Sequence, residues 1–97
     1  MSDTETFESI WDALAESPVE AENMKQRSTL MRAITARIKA QSWTQTEAAR
    51  RFGVQQPRIS HLMNGRIDLF SVDTLLEMAS LIGLHVEISV LADPAHA

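Results

Sequence analysis

Gln56, Pro57, Arg58 and His61 form a cluster of residues suited to reading nucleic-acid bases. A glutamine amide pairs with adenine N6 and N7, and an arginine guanidinium with guanine O6 and N7, each through two hydrogen bonds. A histidine can donate to guanine or touch the backbone. A proline offers only apolar contact, for instance to a thymine methyl. Such residues do this work when they stand outward near the start of a helix that fits the major groove. None of the four is an acid, which a polyanion would repel. Gln45, Gln55, Ser60, Asn64 and Arg66 surround them as candidate phosphate contacts. Gln45 falls at a predicted helix N-terminus, where free N–H groups and the helix dipole suit an anion. Arg50 and Arg51 fall at the end of that helix, and phosphate contact and stabilisation of the helix dipole are both open to them.

The elements that must position these residues lie in the stretch Thr44–Gly65, TQTEAARRFGVQQPRISHLMNG. Thr44 and Glu47 match a capping box, in which a hydroxyl and a carboxylate satisfy the first free N–H groups of a helix. Ala48 and Phe52 then share one face, and Gly53 supplies the left-handed residue that ends the helix. Val54 is an apolar plug in the turn. Pro57, tolerated only in a first turn, predicts a second helix from about Gln56, with Ile59 and Leu62 inward and Asn64-Gly65 at its end.

Two short helices about a glycine-containing turn make a helix-turn-helix. The stretch resembles the Cro/C1-type (Xre-like) family over roughly residues 28–83: a Gln opening the first helix, Ala-Ala within it, Gly at the turn, and Asn-Gly after the second helix. Gln55 departs from the family, which has Ser or Thr as N-cap there. The resemblance implies an all-α, lambda-repressor-like domain of five helices that binds double-stranded DNA, and it points to the same four base-reading positions.

Charge divides the chain in the same way. Residues 1–23 carry −7, residues 24–66 carry +8, and residues 67–97 carry −5, for a net −4. A polyanion responds to the local field, so the acidic total does not exclude DNA. The chain of 97 residues is a one-domain length, with 44% hydrophobic and 23% charged residues. With no cysteine, it has no disulfide and no thiolate chemistry. No apolar run reaches membrane length and the N-terminus does not resemble a signal peptide, so a cytoplasmic protein is expected. No phosphate-binding glycine loop, G-x-S-x-G or H-E-x-x-H motif is present. His61, His85 and His96 are too scattered for a metal site, and no enzyme activity, metal or cofactor is expected.

Three further regions are expected. Residues 1–27 form an acidic helical extension, with Phe7, Ile10, Trp11 and Leu14 at helical spacing. Ser17-Pro18-Val19-Glu20 opens a further helix, and the sequence leaves open whether it runs unbroken from Pro18 to Ala40. Ser71 caps a helix with Val72, Leu75, Leu76, Ala79 and Ile82 buried; Met78 suits either the core or a partner surface. Residues 84–97 are read as a dimerisation strand and tail. Leu84, Val86, Ile88 and Val90 alternate with His85, Glu87 and Ser89, a period of two. A lone strand has unpaired edges, so Val86, Ile88 and Val90 are expected at a homodimer interface.

The segment F-E-S-I-W-D-A-L followed by S-P-V-E-A-E-N-M-K-Q-R-S-T-L-M resembles the N-terminus of Xre-like proteins of the HigA antitoxin kind. That resemblance implies a ribonuclease toxin of the RelE/ParE superfamily as a partner, met by Phe7, Trp11 and Leu14, and repression of a shared operon. These residues could equally complete the protein's own core. An interaction module that neutralises a toxin without its own specific DNA binding is the other functional reading.

Overall fold

The computed structural model describes residues 17–94. Four α-helices and one short 3-10 turn account for the regular structure among them: α1 (Pro18–Ala40), α2 (Gln45–Phe52), α3 (Gln56–Met63), the turn Ile67–Leu69, and α4 (Val72–Leu81). The predicted helix bearing Phe7 and Leu14, the first of the expected five, lies outside the described residues.

Each helix begins where its local chemistry dictates. The Ser17, Thr44 and Ser71 hydroxyls accept from the backbone N–H three residues on, each at 3.1 Å. These bonds satisfy donors that a helix start leaves free. α1 is continuous over 23 residues, which settles the question of a break near Arg27–Thr29. Ser28 is buried inside it, and no glycine or proline interrupts its backbone ladder. The 27/28 division between extension and domain therefore falls within α1, and Ala21 and Met24, N-terminal of it, are drawn into the packing.

The core is formed where α1 packs against α3, the 3-10 turn and α4, with α2 closing it against α3 and α4. Ile34, Ile38, Ile59, Leu62 and Leu75 are its fully buried side chains. Met78 is core, at 5% exposure, which resolves the two readings of that residue. Val72 and Leu76, expected to be buried with Leu75 and Ala79, are only half-buried. Two arginines on α1 tie the layers together through backbone carbonyls. Arg27 Nη1 donates to Ile67 O at 2.7 Å, and Arg37 Nε donates to Ile82 O, at the end of α4, at 3.3 Å. Arg27 Nε is buried without a hydrogen-bond partner among the described residues.

No strand is present among the described residues, and 84–93 carries neither helix nor ladder. The predicted alternation survives in part. Leu84 and Val86 are half-buried against the core, while His85 and Glu87 are exposed. Beyond Glu87 it fails: Ile88 is 75% exposed, Val90 90% and Leu91 85%. A strand is defined by a paired neighbour, and the described residues supply none.

Candidate nucleic-acid interface

α2 and α3 meet at the turn Gly53–Gln55. Gly53 adopts φ 69°, and its N–H and that of Val54 return to the last carbonyls of α2, Val54 N to Ala49 O at 3.0 Å. A side chain is strained at that φ, so the sharp exit from α2 depends on glycine. Ile59 and Leu62 then hold α3 against the core, leaving its opposite face outward. Gln55 is the N-cap of α3 by backbone geometry, at φ −76° and ψ 151°, but its side chain makes no capping bond. The departure from Ser or Thr thus leaves a helix start without a side-chain acceptor.

Gln45, Gln56, Pro57, Ser60 and His61 line one shallow depression of about 350 Å³. Five of the nine residues expected to face DNA are brought together here, three base-reading and two phosphate-contacting. The lining holds hydrogen-bonding groups of both polarities and no acid. Thr46, which the sequence reading passed over, connects the two helix starts: its Oγ1 donates to Gln56 Oε1 at 3.5 Å.

Arg58 is not with the other three base-reading candidates. Its guanidinium carbon lies 3.9 Å from the centroid of the Phe70 ring, and Nη1 donates to Leu69 O at 2.8 Å. The remaining expected phosphate contacts are on the surface. Asn64 Nδ2 donates to Ser60 Oγ at 3.4 Å, Gln55 is exposed, and Arg66 is paired with Asp68 at 3.2 Å. Hydrogen bonding from the Arg66 guanidinium, first among the causes, holds the Asp68 carboxyl below its ordinary value and raises that of Arg66. Arg50 and Arg51 both turn to Glu47 within α2, with Arg51 Nε 3.0 Å from Glu47 Oε1. The hydrogen bond from Arg50 is the chief reason the Glu47 carboxyl is held low. Arg51 also covers the half-buried Trp43 ring, 4.3 Å from its centroid. Among the described residues, no cluster of acids and histidines could hold a metal ion, and no helix is long and apolar enough to cross a membrane.

The partners of Arg58 escaped the sequence because Leu69 and Phe70 lie eleven and twelve residues on, across a helix end and a loop, where no helical or strand period connects them. The aromatic Phe70 immediately after the loop was the one available sign.

Comparison with known proteins follows the same lines. The family model described as "Helix-turn-helix domain" matches residues 13–91. A solved structure named for an XRE family transcriptional regulator is similar over 77% of this chain and 84% of that chain, with 32% identity and a TM-score of 0.71. No curated protein matches. The match to the family model spans most of the sequence and the structural likeness covers more than two thirds of both chains, so this protein belongs to the helix-turn-helix domain family, among its XRE-like members.

Proposed function

We propose that the protein is a sequence-specific DNA-binding transcriptional regulator, a repressor acting as a homodimer on an inverted repeat. The observation that carries the reading is the acid-free depression at the start of α3, where Gln56, Pro57 and His61 stand outward beside Gln45 and Ser60. Family membership supports the same conclusion, since the helix-turn-helix presents its second helix to the major groove. In this reading Gln56 and His61 pair with base edges and Pro57 supplies an apolar contact. Gln45, Gln55, Ser60, Asn64 and Arg66 grip the flanking phosphates. The exposed Ile88 and Val90, with half-buried Val86, suit a strand completed by the same segment of a second copy. DNA binding of this kind places the protein on the nucleoid in the cytoplasm.

The acidic charge of residues 1–23 favours one addition: a basic protein partner, as in a toxin–antitoxin pair. Phe7, Trp11 and Leu14, proposed to meet such a toxin, lie outside the described residues.

The test is a band shift with the protein's own promoter DNA across a salt series. Several phosphate contacts per subunit predict a steep negative slope of log K against log salt, with binding strongest at low salt. Absence of binding to any promoter fragment at low salt would exclude this reading and leave the toxin-neutralising module as the alternative.

A further inference from the structure

The turn Ile67–Leu69, which follows α3, is held from two sides by guanidinium groups. Arg27 of α1 donates to Ile67 O, and Arg58 of α3 donates to Leu69 O. Phe70, next in sequence, is 2% exposed, so the ring beneath Arg58 is fixed in the core. α3 itself is short and weakly defined at its start: eight residues, with no side-chain cap. A helix of this length has no independent stability, and its orientation comes from what it packs against. Ile59 and Leu62 fix its inner side. Arg58 adds a second anchor on its flank, in the same first turn as Gln56 and Pro57.

We propose that Arg58 is a positioning residue, not a base-reading one: stacked on Phe70 and bonded to Leu69 O, it sets the rotation of α3 and hence where Gln56 and His61 meet the bases. With Nη1 held by Leu69 O and one face on the Phe70 ring, the guanidinium is tied to the turn and not free to swing with the other outward side chains. The planar fork suits this role because it stacks and donates at once, which a lysine ammonium cannot reproduce. The inference rests on DNA recognition by α3 and assigns a different task to one residue within it.

The test begins with selection of a preferred duplex from a random pool by the full chain. Arg58→Ala, Arg58→Lys and Phe70→Leu are then compared at temperatures where each is shown to be folded. Affinity for the preferred duplex should fall about five- to tenfold in all three, with discrimination weakened at all read positions together. In Arg58→Lys and Phe70→Leu, which keep the charge count, non-specific affinity and its salt slope should stay at the wild-type level. Loss of preference at a single base pair in Arg58→Ala, with a wild-type profile in Phe70→Leu, would overturn the proposal in favour of a base contact. Equal loss on all DNA in Arg58→Ala alone would overturn it in favour of a phosphate contact. Amide hydrogen exchange of the free protein gives a DNA-independent arm. Exchange across Arg66–Phe70 should accelerate in Arg58→Lys, and unchanged exchange would remove the anchor. If the wild type selects no duplex, DNA reading by α3 fails on its own terms, and the exchange arm still decides whether Arg58 holds the turn.

Discussion

At the scale of single residues, the chain's cations do more than attract. Arg27, Arg37 and Arg58 hold backbone carbonyls, while Arg50, Arg51 and Arg66 hold carboxylates. Residue types and spacing made Gln56, Pro57 and His61 legible as an outward group, because helical period fixes which residues face the core once Ile59 and Leu62 are known. The contacts of Arg58 with Phe70 and Leu69 were not legible in this way, for a physical reason. A long side chain can leave the face its Cα occupies, and its partners are set by the loop that follows, not by local period. Arg66 illustrates a related competition. Its ion pair keeps Asp68 charged to lower pH than an ordinary aspartate. The pair is therefore intact at neutral pH and is lost as pH falls through that depressed value. A phosphate seeking Arg66 must compete with Asp68, and meets its charge as well. Asp68→Asn should raise affinity for all DNA sequences about threefold at moderate salt, leaving base preference unchanged. Titration of two unrelated duplexes checks this; a gain confined to one of them would show Asp68 acting on base choice instead.

At the scale of elements, the helices followed from caps and terminators that act within four residues of themselves. Ser17, Thr44 and Ser71 start helices as read, and Gly53 ends α2 in the left-handed conformation. Continuity of α1 was not decidable locally, because Ser28 and Thr29 are indifferent helix formers. Burial of Ser28 beneath the other helices decided it. α3 is the element with an unmet local preference. Gln55 has the extended backbone of an N-cap and no side-chain capping bond; Pro57 has no N–H to cap, and the Arg58 N–H donates to Gln55 O at 3.0 Å. Gln55→Ser offers the Arg58 N–H only a second acceptor and should change stability by less than about 0.5 kcal/mol, seen as a urea midpoint and slope close to wild type. A clearly higher midpoint would mean that Gln55 O does not satisfy the Arg58 N–H.

At the scale of the whole molecule, residues 84–91 showed their period in the sequence but not their pairing, since period is local and pairing needs a second segment. The exposed Ile88, Val90 and Leu91 are what an unpartnered strand would present. A two-fold axis through this segment would set two α3 helices about 34 Å apart, one turn of DNA, and make the binding site an inverted repeat. Removal of residues 84–97 should then yield a monomer in sedimentation at micromolar concentration and bring affinity towards the non-specific level. A truncated protein that stays dimeric and still binds the inverted repeat would move the interface elsewhere.

The arginines that hold internal carbonyls keep their positive charge while their geometry is fixed by the fold. Under the proposed function, charge that drives loose, sequence-blind association is thereby built into the frame, whereas the amide and proline groups at the start of α3 carry no charge. In kinetic terms, the two can be tuned apart. Time spent scanning along a duplex is then governed by the frame, and time spent at the operator by a few side chains at the start of α3. Changes in target sequence then need not alter the speed of the search.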